Sequence, residues 1–303
     1  MINTRNGIDV LSDSIAAIQS PQTGVTLAEW PNLSELVGGL RMHEFTIFCG
    51  ATGSGKTQWL AALVSQLIKN GIKCFVAPVE TGSTDFGIRV LSVLSKFDFN
   101  TGASFNKEQI RKLMMTVETH VEQFKTGLFF SSHENRVSVE EMVQTLHYMN
   151  EEKGCKVAVL DNLNFFLKPT GANNMVMEFD DAIHKFVMLA KKIPMHIILV
   201  MHPKKTNEGK ILSEFDIKGS STAVQEASNV LLMNRLSDDE IPTNGSKLTR
   251  EFCFRKIRKR GFNVGKKFYM DYEGGAYVER NNETSPENKG FKYRGNSDRR
   301  AGQ

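Results

Sequence analysis

Residues 50–57 read Gly50-Ala51-Thr52-Gly53-Ser54-Gly55-Lys56-Thr57, directly after the apolar run 45–49 and before the apolar-dense segment 58–64. Few short strings constrain a fold so tightly. Its glycines let the backbone turn sharply and aim N–H groups at phosphate oxygens, and the following helix presents its positive N-terminal end to the same anion. In such a phosphate-binding loop Lys56 reaches the β- and γ-phosphates and Thr57 holds Mg²⁺. Strand, loop and helix in that order demand an α/β sheet whose strand feeds a helix at its C-terminal edge. The motif specifies a nucleoside triphosphate, ATP in the first instance, and leaves open what its energy does.

From residue 45 onward the chain alternates strand-like and helix-like segments. Strands are expected at 45–49, 74–78, 128–132, 156–160, 197–201, 229–233, 252–258 and 267–270, with helices such as 139–149 and 180–192 between the earlier ones. Continuous apolar strands separated by helices indicate a mostly parallel sheet covered on both faces. The last strands have no helices between them and are expected to form an antiparallel extension. A 40% hydrophobic content over 303 residues supports one core domain, placed at 25–280. Before it, Ile8, Val10, Leu11, Ile15, Ala16 and Ile18 fit one short amphipathic helix, which the polar segment 19–24 then breaks. That helix either docks on a neighbouring subunit or packs on its own domain. The tail 281–303, polar and basic, is expected to be disordered.

The four cysteines, Cys49, Cys74, Cys155 and Cys253, each lie in or beside an apolar run without Cys-x-x-Cys spacing, and read as buried small hydrophobes. No apolar stretch approaches the ~18 residues of a membrane helix and no signal-peptide core opens the chain, so a cytoplasmic protein without a membrane partner is expected. A net charge of +4 is too mild to name a partner.

Two carboxylates close apolar strands. Val157-Ala158-Val159-Leu160-Asp161 is a Walker B arrangement, in which Asp161 faces the nucleotide crevice and holds Mg²⁺ directly or through water. Asn162 beside it either orients water or closes the turn. The run 74–79 ends in Glu80, placed to accept the proton of the water attacking the γ-phosphate.

The ordered set of motifs now resembles a family. Gly50 to Thr57 is followed by Glu80 with Arg89, Leu160-Asp161-Asn162-Leu163, Leu199-Val200-Met201-His202-Pro203, Lys218-Gly219-Ser220-Ser221 with Gln225, and Lys256-Ile257-Arg258 before Gly261. Over roughly residues 25 to 280 this is similar to the RecA-type motor domain of DnaB-like replicative helicases. It lies nearest the phage primase-helicases and the mitochondrial Twinkle helicase, whose third motif ends in His-Pro. The resemblance implies a ring, expected as a hexamer, that moves 5′ to 3′ on single-stranded DNA and unwinds duplex. It implies that Glu80 is the catalytic glutamate, that His202 senses the γ-phosphate, that Gln225 is the polar group of the fourth motif, and that Lys256 and Arg258 reach the neighbour's ATP site.

The residues themselves add to this. In a strand Lys256 and Arg258 share a face, and two cations on one face need an anion opposite. Here Arg258-Lys259-Arg260 carries further cations where family members place an aromatic residue, so Arg260 is the alternative finger, and a solvated or nucleic-acid-binding basic face is a third reading. Two lysine-bearing loops are placed to meet DNA, 165–174 with Lys168, and 203–210 with Lys204, Lys205 and Lys210, continuing to Lys218. With no second folded domain ahead of the motor, primase and polymerase are expected to be separate chains. Two rival functions share this fold, a strand-exchange recombinase and an ATP-switched loader.

Overall fold

Side-chain alternation along the strands decides the architecture. In β1 (Phe45–Gly50), Phe45, Ile47 and Cys49 enter one apolar cluster while Phe48 enters another; β2 (Cys74–Pro78) divides the same way, Phe75 and Ala77 against Cys74 and Val76. A period of two with both faces apolar is the signature of a sheet buried on both sides. The computed structural model describes residues 6–19, 24–100, 104–131, 137–167, 172–204, 211–217 and 221–280.

The remaining strands are β3 (Leu128–Phe130), β4 (Val157–Asp161), β5 (His196–Met201), β6 (Asn229–Arg235), β7 (Arg250–Ile257), β8 (Lys267–Glu273) and β9 (Ala276–Glu279). They form one sheet in the order β3-β2-β4-β5-β1-β6-β7-β8-β9, parallel from β3 to β6 and antiparallel from β6 to β9. The expected parallel sheet with an antiparallel extension is therefore what forms. Helices α7 (Val139–Glu151), α8 (Ala172–Lys192) and α9 (Ser221–Glu226) lie by the first cluster, with Met142, Leu146, Ile183 and Phe186 fully buried. Helices α2 (Pro31–Val37), α3 (Lys56–Lys69) and α4 (Ser83–Ser95) cover the opposite face, where Trp59 stacks on Trp30 at 4.9 Å and touches Phe48 and Phe252. Helices α5 (Lys107–Thr119) and α6 (Val121–Gly127) complete the chain before β3.

Several expected boundaries shift. Helix α8 begins at Ala172 rather than 180, which shortens the first expected DNA loop; Phe179, ahead of Asp180, already joins the buried apolar face that Ile183 and Phe186 continue. Strand β3 stops at Phe130, β4 includes Asp161, β6 runs on to Arg235, and β7 spans 250–257, leaving Arg258 just past its end. β9 is an element the sequence reading omitted; it folds back from β8 through Gly274 and Gly275, both at positive φ. The tail 281–303 lies outside the described residues.

The opening helix exists as α1 (Gly7–Gln19) and buries none of its residues; Ile8, Leu11, Ile15 and Ile18 are 66, 60, 55 and 78% exposed. Packing on its own domain is not realised. After α1, Val25 and Leu40 form an antiparallel bridge. Glu279 at the end of β9 then accepts from the N–H groups of Asn32 and Leu33, both at 2.8 Å, satisfying first-turn donors of α2. All four cysteines are free and buried. Among the described residues no helix is long and apolar enough to cross a membrane.

A polar chain crosses the N-terminal edge of the sheet. Asn229 donates to Glu44 and Thr46, the Thr46 hydroxyl donates to Nε2 of His196 at 2.9 Å, and Nδ1–H of His196 donates to the Arg41 carbonyl at 2.7 Å. The ring is buried and neutral, and burial holds its pKa below the usual value. The unfolded chain takes up a proton near pH 6.5 that the folded ring refuses, so this stability is present above that pH and lost as pH falls below it. We expect His196→Gln to flatten the decline in urea midpoint between pH 7 and 5, removing a slope of up to about 1.4 kcal/mol per pH unit. An unchanged slope would show that His196 is not the group titrating.

Candidate functional site

The phosphate loop sits where β1 ends and α3 begins. Gly53 and Gly55 adopt φ of 69° and 104°, a region closed to most side chains, and Gly55 is the residue before the first turn of α3. The first N–H groups of α3, which no helix can satisfy internally, open onto the loop. Lys56 is 6% exposed, and its ammonium donates to the carbonyls of Gly50 at 2.7 Å and Ala51 at 3.0 Å. Burial lowers its pKa, while Asp161 opposes the shift.

Asp161, the last residue of β4, is 1% exposed and accepts from the Thr57 hydroxyl at 3.0 Å. Burial raises its carboxyl pKa to about 6, while the Thr57 hydrogen bond lowers it. A hydroxyl and a buried carboxylate side by side are hard oxygen donors with unmet negative charge, and that donor set fits Mg²⁺. Thr57 and Asp161 are the residues that would hold it.

Glu80 comes to the same place because its main-chain N–H donates to the Asp161 carbonyl at 3.2 Å, pinning the end of β2 to the end of β4. Its carboxylate accepts from the side-chain amide of Asn162, and lies 3.3 Å from Nε2 of His202, the residue after β5. The Asn162 amide also lies 2.9 Å from that His202 nitrogen, and the Asn162 carbonyl oxygen accepts from the Asn164 N–H at 3.0 Å. Asn162 thus does both things left open for it: it closes the turn, and it joins Glu80 to His202. A neutral ring accepts from Asn162, whereas a protonated ring pairs with Glu80.

Arg89 of α4, which the motif set paired with Glu80, donates to the side-chain carbonyl of Gln58 at 3.0 Å, and Gln58 in turn donates to the main chain of Gly275. Sequence reasoning missed Gln58 and one further residue of this edge. Arg235, at the end of β6, donates to the Gly53 carbonyl. The rule that located Asp161 and Glu80, that α/β sites gather at strand C-termini, would have found Arg235 had β6 been read two residues longer.

Gln225, Lys256 and Arg258 gather elsewhere. β6 runs parallel to β1 and β7 antiparallel to it, so Gly50 pairs with Met233 whereas Ile257 pairs with Asn229. The four residue steps of β6 from Asn229 to Met233, at ~3.3 Å each, separate this second cluster from the start of the phosphate loop by about 13 Å along the sheet. Lys256 donates to the carbonyls of Val224, at 3.0 Å, and Gln225; Arg258 donates to those of Gln225, Glu226 and Ala227 at 3.3, 3.1 and 3.5 Å. The partner expected opposite these cations is, within one chain, the negative C-terminal end of α9 rather than an anion. Arg260 points away, donating to the Glu35 carbonyl of α2 at 2.6 Å.

Of the lysines assigned to DNA, Lys168, Lys205, Lys210 and Lys218 lie outside the described residues. Lys204 is described: its N–H donates to the Asp216 carbonyl at 2.6 Å and its ammonium to that of Phe215 at 3.1 Å. With the Pro203–Ile217 bridge, these contacts pinch both ends of the loop together directly beyond His202.

Comparison with known proteins places this geometry. Residues 24–269 match the DnaB-like helicase C terminal domain family. A solved ATPase domain is similar in structure, with a TM-score of 0.75 at 16% identity over 92% of this chain and 100% of that one. A DnaB-like replicative helicase, studied with its interactions with primase, gives 0.71 at 16% identity over 91% of this chain and 67% of its own. At such identity the structural likeness speaks to the fold, which is the RecA-like one of DnaB-type ATPase domains.

Proposed function

Since the chain belongs to the DnaB-like helicase C-terminal domain family, we propose that it is an ATP-driven DNA helicase motor that assembles as a hexameric ring on single-stranded DNA. The observation that carries this reading is the division of its functional residues between two edges of the sheet. Lys56, Thr57, Glu80, Asp161 and His202 form one half-site, and Lys256 with Arg258 forms a cationic group too distant to serve it. Copies arranged head to tail bring one edge to the other, and such heterologous contacts close into rings. The exposed apolar face of α1 supplies a second contact for the adjacent copy.

In this mechanism the phosphate loop binds the triphosphate and Lys56 exchanges its carbonyl partners for phosphate oxygens. Thr57 and Asp161 would hold Mg²⁺, which would supply charge neutralisation to the triphosphate. Glu80 takes the proton of the attacking water, held in place by Asn162. Arg258 of the adjacent copy offsets the charge that develops on the γ-phosphate. His202 gains or loses its contact with Glu80 and Asn162 as the phosphate leaves, and the pinched loop beyond it carries that change to the DNA backbone through Lys204 and its neighbours. Movement is read as 5′ to 3′. Each opened base-pair step costs about 1.4 kcal/mol on average.

The test is unwinding of a forked duplex with ATP, alongside a mass measurement of the assembly with and without residues 1–19. We expect unwinding that requires ATP, a closed ring, and a smaller species without the opening segment. Open filaments that pair homologous strands would make the chain a recombinase, and ATP-dependent DNA binding without unwinding would make it a switch.

A further inference from the structure

We infer that Arg250 is a positioning residue for the phosphate loop, holding its carbonyls from behind so that the loop's N–H groups face the β- and γ-phosphates of a nucleoside triphosphate. Arg250 opens β7 opposite Arg235 and is only 7% exposed. Its Nε donates to the Ser54 carbonyl at 2.7 Å, and Nη1 donates to the carbonyls of Lys247 and Thr249 at 2.9 and 2.8 Å. Among the described residues no carboxylate pairs with it; burial pushes its pKa down, Tyr277 opposes that shift and the like charge of Arg235 adds to it. Buried arginines are ordinarily paired, because a desolvated charge is costly. This one is answered only by carbonyl dipoles, directly behind a loop built for an anion.

Two further residues of the antiparallel extension act on the same loop. The Tyr277 hydroxyl of β9 lies 3.5 Å from the Ser54 carbonyl and fills the space where a Cβ at Gly55 would stand. Arg235 holds the Gly53 carbonyl, and a Cβ at Gly53 would meet its guanidinium at 2.7 Å. Successive carbonyls are thus drawn to one side of the loop. Because N–H and C=O of a planar peptide point in opposite directions, fixing the carbonyls behind fixes donors in front. Arg250, Arg235 and Lys56 together create a positive field that a triphosphate satisfies, and binding relieves the isolation of the buried guanidinium.

This inference rests on the nucleotide reading of the loop. Dissociation constants for Mg-ATP and for inorganic tripolyphosphate should be measured on the full chain, with Arg250→Met, Arg250→Lys and the melting midpoint without ligand as companions. Arg250→Met is expected to weaken both ligands by a similar factor of about tenfold or more, raising KM for ATP while kcat falls less than about threefold. Arg250→Lys, which restores the charge, should recover most of that loss. A purely structural role would lower the ligand-free midpoint and leave tripolyphosphate affinity and the nucleotide-induced shift unchanged, overturning the inference. If the unsubstituted chain binds neither ligand, the nucleotide reading itself fails. If it binds both and Arg250→Met binds within about twofold of it, only the role of Arg250 fails.

Discussion

Replacing Glu80 by glutamine is expected to lower ATP turnover by about 10² to 10⁴-fold while leaving nucleotide affinity within about twofold, because general-base catalysis contributes on that scale and ground-state binding does not use the proton-accepting oxygen. Glutamine matches glutamate in shape. Its side-chain carbonyl still accepts from Asn162, and the Glu80 N–H still donates to the Asp161 carbonyl, so the end of β2 stays in register with the end of β4. What disappears is the capacity to take a proton and the ion pair with a protonated His202 across 3.3 Å. Steady-state phosphate release with calorimetric ATP binding checks both halves of the expectation. A variant that retains more than about a tenth of the turnover would remove Glu80 from the base role, and one that still unwinds DNA would do so more directly.

The placements most readable in the sequence were those fixed by local geometry. A glycine-rich turn between a strand and a helix, a carboxylate closing an apolar run and a histidine closing another all gather at one sheet edge, since parallel strands end at a common edge. The structure brings Thr57, Asp161, Glu80 and His202 within contact of one another or of Asn162. Less readable was anything set by antiparallel return. Reading Lys256 and Arg258 as a shared face was sound stereochemistry, yet the strand ends at Ile257 and both side chains curl onto α9. Only the register of β7 against β6 reveals that this places them far from the chain's own phosphate loop and Arg250 against it. The Gly274-Gly275 turn is a hairpin signal, and with it β9 and Tyr277 were accessible in principle. That α1 folds while burying nothing was not, because amphipathic spacing states that a face needs covering and not which surface covers it.

Arg258→Ala is expected to reduce ATP turnover of the assembled ring by about 10³ to 10⁵-fold, the scale on which an arginine supplied in trans acts in related phosphoryl transfers. Within its own chain Arg258 holds three carbonyls at 3.1 to 3.5 Å, long contacts that little is lost by releasing. Lys256 is bound more closely and Arg260 is committed to α2, so alanine at Arg260 should loosen the Glu35 end of that helix and change turnover far less. A reversed ranking would make Arg260 the finger. The decisive form of the experiment mixes Arg258→Ala subunits with Glu80→Gln subunits. Each is inactive alone, but an interface that joins the intact Glu80 half of the first to the intact Arg258 edge of the second holds a complete site. Random mixing at equal amounts makes such interfaces roughly a quarter of the total, one half times one half for a heterologous contact. Turnover should therefore rise from near zero toward that fraction of the unsubstituted rate. Mixtures no more active than either variant alone would place both halves of the chemistry within one chain, which the hold of Lys256 and Arg258 on the α9 carbonyls, about 13 Å along the sheet from the phosphate loop, opposes unless β7 moves.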